Sequence, residues 1–180
     1  MSLASVILVG PMGSGKTAVG RALAKRERLD HVDVDEMIAQ TRGLTIPEIF
    51  ATEGESGFRA LEHEALSQAV AGHPAVISAG GGVVVSESNR DLLRQADAWV
   101  VWLDAAVEVL ACRVGRGEGR PLLAGDDVTG ALRTKVAERA EGYNEVADLR
   151  IDTSDRSVAE CVELIVAARA RNVEGAAQCR

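Results

Sequence analysis

The chain has 180 residues, of which 47% are hydrophobic, 26% charged and only 3% aromatic, room for one domain with a sizeable core. Its net charge of −7 argues against a dedicated surface for nucleic acid or anionic membrane. No apolar run approaches a bilayer span, the amino terminus shows no signal-peptide pattern, and Cys112, Cys161 and Cys179 are too scattered for a disulfide frame or zinc site, so a cytoplasmic protein is expected.

Short apolar runs alternate with helical patterns along the chain, the mark of a parallel α/β sheet. The first strand, 5–9, runs into Gly10-Pro11-Met12-Gly13-Ser14-Gly15-Lys16-Thr17 and then a helix at 16–28. This is G-x-x-x-x-G-K-[ST] in the strand–loop–helix setting that the phosphate-binding loop requires. Its glycines let backbone N–H groups turn inward around phosphate oxygens, with a helix N-terminus behind them. Gly13, Ser14, Gly15, Lys16, Thr17 and Ala18 are therefore the expected contacts to a nucleoside triphosphate. Lys16 would reach the β- and γ-phosphates, and the Thr17 hydroxyl would ligate Mg²⁺.

A short strand at 30–33 ends in Asp33-Val34-Asp35, followed by a helix at 34–40. Thr45-Ile46-Pro47-Glu48 fits a capping box with proline in the first turn, opening helices at 47–52 and 55–70. The strand at 75–78 ends in Ser78, just before Gly80-Gly81-Gly82. After a helix at 88–94 comes the strand at 98–103, with Asp104 as the expected N-cap of a helix at 105–115. The glycine-rich stretch 115–128 is the one long irregular segment, and a loop of that length is usually functional. Arg113, Arg116 and Arg120 surround it in an otherwise acidic chain. A mobile loop with arginines can close over a nucleotide and exclude water, although Arg116 also reads as surface charge. A helix at 129–142, a strand at 149–152 and a helix at 158–171 complete the pattern, and the residues after Asn172 are expected to fray.

Three places could supply the acidic partner of the metal: Asp104, Ser78 with the glycines after it, and Asp33-Val34-Asp35. The last is the most informative, because an extended Val34 sends both carboxylates to one side. Two like charges so close need a cation or hydrogen-bond donors. The natural division has Asp33 near Mg²⁺ and Asp35 on an acceptor hydroxyl, though aspartates also favour helix starts. A triple glycine at a strand end lets backbone amides approach a ligand, or simply makes a turn. Phe50 and Phe58 read as core more readily than as ligand contacts.

The phosphate loop, Asp33-Val34-Asp35, Phe58-Arg59, Gly80-Gly81-Gly82, Arg120-Pro121-Leu122-Leu123 and Arg139 ahead of Tyr143 occur in the order and spacing of shikimate kinase. From Ser5 to about Arg171 the chain resembles that family. The resemblance implies a P-loop NTPase-type three-layer α/β sandwich with a five-stranded parallel sheet. It implies one domain over 1–171, a mobile lid at about 113–128 and a frayed tail at 172–180. The implied activity is ATP-dependent phosphorylation of the 3-hydroxyl of shikimate, giving shikimate 3-phosphate and ADP, by a monomer. Asp33 would then hold Mg²⁺ through water, with Ser78 a second water-mediated contact, and Asp35 would bond the ring hydroxyls. Arg59 and Arg139 would grip the carboxylate, Gly80, Gly81 and Gly82 would face the acceptor, and Arg120 would close on the transferring phosphate. Arg113 and Arg156 would flank the adenine. Forked guanidinium donors suit a planar carboxylate. Glu62, one turn beyond Arg59, either orients that guanidinium or makes an ordinary surface pair.

This chain departs from the family between Arg139 and Tyr143, with Ala140-Glu141-Gly142 where a proline and then a leucine are typical. Glu141 would have to point to solvent to spare the substrate carboxylate. Two other readings use the same loop: another small-metabolite kinase, acting on gluconate or a nucleoside monophosphate, and a nucleotide-binding regulator without turnover. No base-recognition region is evident between Asp33 and Ala75, and a regulator need not keep Lys16, Asp33, Asp35 and Arg120 together.

Overall fold

In the computed structural model, which describes the backbone of residues 5–115 and 128–178, the strands β1 (Ser5–Val9), β2 (Asp30–Asp33), β3 (Ala75–Ser78), β4 (Ala98–Asp104) and β5 (Leu149–Asp152) form one sheet in the order β2-β3-β1-β4-β5. Every pairing is parallel. The helices are α1 (Lys16–Glu27), α2 (Val34–Arg42), α3 (Ile46–Ala71), α4 (Glu87–Gln95), α5 (Val107–Val114), α6 (Val128–Val146) and α7 (Val158–Gln178).

Alternation along β1 explains the layering. Ile7 and Val9 pack with Ile77, Val100 and Trp102 against α2, α3, α4 and α6, while Val6 and Leu8 pack with Val76, Val101 and Leu103 against α1 and α7. A third apolar group, Ala105, Leu110 and Leu132 with Met12, seats α5 and α6 beside the loop after β1. With β3 and β4 on either side of it, β1 lies where the crossovers change direction, and its carboxyl end opens into the crevice where such sheets bind ligands.

The predicted strands all form, with β4 one residue longer. The two helices expected at 47–52 and 55–70 are one run with a break at Gly54, whose φ of 69° and ψ of −175° are not helical. Asp104 is not a helix cap. The ladder pairs it with Asp152, its carbonyl accepts from Thr153 N at 2.8 Å, and its carboxylate meets Arg150 at 2.6 Å. Held in the strand, it cannot turn into α5, which starts at Val107. The Ser154 hydroxyl, from another connection, instead accepts from Ala106 N at 2.9 Å. A 3-10 turn at Val83–Val85, unforeseen in the sequence, links the glycines to α4. The backbone of α7 stays helical to Gln178, past Asn172.

Candidate active site

At the end of β1, Gly10 adopts φ +142°, and a Cβ there would sit 2.1 Å from the Leu103 carbonyl oxygen. Only glycine lets the loop leave the sheet so closely against β4. Lys16 Nζ curls back to donate to the carbonyls of Gly10 and Pro11, both at 2.9 Å. One residue on, Thr17 Oγ1 donates to Asp33 Oδ2 at 2.8 Å. The other oxygen, Asp33 Oδ1, accepts from Asp35 N at 3.1 Å and Glu36 N at 3.4 Å. Asp33 is thus both the N-cap of α2 and the partner of the phosphate-loop threonine; one carboxylate serves both ends.

Ser78 lies behind this pair. Its hydroxyl donates to the Lys16 carbonyl at 3.2 Å and meets His31 Nε2 at 2.9 Å. His31 had no signal in the sequence beyond its place in a strand; only the β2–β3 pairing brings it to Ser78. Burial holds its imidazole below the ordinary value, against the opposing charge of Asp33.

The loop opens into a cavity of about 540 Å³ that also takes in Asp35, Arg59, Glu62, the Gly80–Gly82 turn and Arg139. Arg59 is gripped from two sides, by Glu62 at 2.8 Å and Glu55 at 3.2 Å. Glu62 is no surface partner: it is wholly buried, and burial pushes its carboxyl pKa up despite the Arg59 guanidinium. A Cβ on Gly82 would lie 2.5 Å from both terminal nitrogens of Arg59, so the absence of a side chain there makes room for the guanidinium. Arg139 is buried as well and donates from Nη1 to the Gly81 carbonyl at 2.8 Å. The Phe50 and Phe58 rings stack with centroids 4.5 Å apart; Phe58 belongs to the core, yet both line the cavity. Glu141 is exposed, as the sequence required, and lines a second crevice with Glu138 and Glu145 that Arg139 also borders.

Arg113 lines the cavity from α5. It donates to Thr153 Oγ1 at 3.0 Å and to the Thr153 carbonyl at 2.7 Å, and reaches the Gly13 carbonyl at 3.4 Å. Thr153 in turn donates to the Ser14 carbonyl at 3.2 Å. Arg156 stands exposed on the same β5–α7 turn, bonded to the Asp152 carbonyl. Arg116, Arg120 and Pro121-Leu122-Leu123 lie outside the described residues.

The site therefore joins two different halves. One is a backbone cradle with a lysine, a threonine and an aspartate; the other is an arginine pair, an aspartate and a glycine turn. Among the described residues no three metal-ligating side chains of the His, Cys, Asp and Glu types cluster. The oxygen pair Thr17 and Asp33 suits a hard cation that keeps most of its waters, as Mg²⁺ does.

The family model for shikimate kinase matches residues 12–169. A shikimate kinase of Symbiobacterium thermophilum is 46% identical over 165 residues, covering 90% of this chain and 94% of that protein. One from Stenotrophomonas maltophilia is 42% identical, covering 90% and 89%. Among solved structures, shikimate kinase from Acinetobacter baumannii in complex with shikimate superposes with a TM-score of 0.91 at 36% identity, covering 94% of each chain.

Proposed function

The chain belongs to the shikimate kinase family, and from that premise we propose how its residues transfer the γ-phosphoryl group of ATP to the 3-hydroxyl of shikimate. The observation that carries the reading is the single cavity in which the phosphate loop and the Arg59–Arg139 pair face one another.

The transition state of phosphoryl transfer is loose, so the protein contributes mainly position and charge neutralisation. Lys16 swings from the Gly10 and Pro11 carbonyls to the β- and γ-phosphates, where the amides of Gly13, Ser14, Gly15, Thr17 and Ala18 hold the remaining oxygens. Thr17 and Asp33 would hold Mg²⁺, Asp33 through water, with Ser78 behind them as a further water-mediated contact. When bound, the cation neutralises phosphate charge. Arg59 and Arg139 fork onto the shikimate carboxylate, and the Gly80–Gly82 amides face the ring. Asp35 then aligns the 3-hydroxyl and accepts its proton as the bond to phosphorus forms. Arg113 and Arg156 flank the adenine, and Arg120 closes on the transferring group from the lid at 113–128. The protein works as one domain over 1–171 and, as the family likeness leads us to expect, as a monomer; one chain supplies both halves of the cavity. The setting we propose is cytoplasmic, where the free thiols Cys112 and Cys161 would stay reduced.

The test is ADP release with and without Mg²⁺, offering shikimate, gluconate and nucleoside monophosphates in parallel. Only shikimate with Mg²⁺ is expected to drive turnover. Lys16→Ala is expected to abolish it, and Asp35→Asn to reduce it by about a hundredfold or more, with the circular dichroism spectrum unchanged. Faster turnover on gluconate or a nucleotide would overturn the substrate, and near-normal turnover in Asp35→Asn would overturn the role given to that carboxylate.

A further inference from the structure

The Gly81 carbonyl oxygen takes two hydrogen bonds from one helix: Arg139 Nη1 at 2.8 Å and Tyr143 Oη at 2.6 Å. The two donors sit one turn apart on α6, so they share a face. A carbonyl has two lone pairs and accepts both. Tyr143 is fully buried. Its ring stacks on Trp102 of β4 with centroids 5.4 Å apart at 24°, and the Arg150 guanidinium sits 4.3 Å from the Trp102 ring centre. Burial raises the phenol pKa, with the Arg139 guanidinium acting the other way, so the hydroxyl remains a donor at neutral pH.

The oxygen so held belongs to the middle residue of the acceptor turn. A Cβ on Gly80 would meet Glu62 at 2.4 Å and Asp35 at 3.2 Å, and one on Gly82 would meet Arg59 at 2.5 Å. The turn therefore touches the groups that flank the acceptor, and a small displacement of its peptide disturbs several at once. Misplacement on the ångström scale is enough to cost catalysis.

We propose that Tyr143 is a positioning residue for the acceptor half of the site, its hydroxyl pinning the Gly81 carbonyl and, through that shared oxygen, the guanidinium of Arg139. Without the phenol, Arg139 is the only side chain left on that carbonyl among the described residues and can follow it out of place. The inference rests on the reading of Arg139 as a carboxylate ligand.

Tyr143→Phe keeps the ring that packs on Trp102 and removes only the donor. It is expected to raise KM for shikimate about fivefold or more, the scale of one buried hydrogen bond, while KM for ATP stays within about twofold. A lower Tm with both KM values unchanged would mean a purely structural tyrosine and overturn the inference. Tyr143 is the only tyrosine in the chain, so biosynthetic incorporation of 3-fluorotyrosine labels this site alone and decides the matter should Tyr143→Phe fail to fold. Its ¹⁹F resonance is expected to shift with shikimate and not with ADP; a resonance unmoved by shikimate, or moved equally by both, overturns the inference. If the unmodified protein shows no shikimate-dependent ADP release, the functional reading fails and takes this inference with it. Normal turnover with an unchanged KM in Tyr143→Phe overturns the role of Tyr143 alone.

Discussion

Arg59 spends two donors on Glu55 and Glu62 before a substrate arrives, and its Nε has no hydrogen-bond partner among the described residues. A planar five-donor group can hold two glutamates and still offer N–H groups to a carboxylate; an ammonium cannot do so in the same plane. Arg59→Lys is therefore expected to raise KM for shikimate roughly tenfold, corresponding to about 1.5 kcal/mol for one charge-assisted hydrogen bond, with little change in KM for ATP. Steady-state kinetics with each substrate varied would check it, and an unchanged KM for shikimate would remove Arg59 from the carboxylate site. Behind the Thr17–Asp33 pair, His31 makes a separate prediction. Its folded pKa lies below the ordinary 6.5, so in the interval between the two values the native state binds fewer protons than the unfolded chain. The stability tied to the neutral imidazole is complete above 6.5 and declines as pH falls through that interval. The urea midpoint of the protein without nucleotide or metal should drop on acidification from about pH 7.5 to 5, and His31→Gln should drop less. Equal slopes for the two proteins would remove His31 as the source.

The element that presents Arg59 is a helix made of two local signals and one interruption. Thr45 and Glu48 complete the capping box: the Glu48 carboxylate accepts from Thr45 N at 2.7 Å, and Thr45 Oγ1 accepts from Glu48 N at 3.4 Å. After the break at Gly54, the second part of α3 buries Phe58, Glu62 and Leu66 at helical spacing, which leaves Arg59 facing the cavity. An ion pair between Arg42 and Glu53 ties α2 to the first part. Thr45→Ala is expected to cost about 1 kcal/mol, or a Tm lower by roughly 2–4 °C for a domain of this size, with KM for ATP unaffected because the lost bonds run only between Thr45 and Glu48. Thermal unfolding would show it, and an unchanged Tm would mean that α3 is held by packing alone. Local signals were enough to read this cap and break from the sequence. They were not enough at Asp104, where pairing with β5 overrode a good capping residue.

Across the whole molecule, the order β2-β3-β1-β4-β5 turns a string of motifs into a site. It sets the ends of β1, β2 and β3 side by side, so Thr17 meets Asp33 and the glycine turn after β3 reaches across to α6. The amino-acid sequence by itself determined the strands, the phosphate loop and the residue types on both sides of the cavity. Those depend on period-two and period-3.6 patterning and on chemistry carried within a few neighbouring residues. Only the tertiary structure decided that Glu62 is buried rather than exposed, that His31 backs Ser78, that Ser154 takes the Ala106 amide from another connection, and that Tyr143 and Arg139 share the Gly81 carbonyl. Each is a meeting of groups far apart in the chain, and burial and shared hydrogen bonds are properties of the packed neighbourhood, which no local pattern encodes.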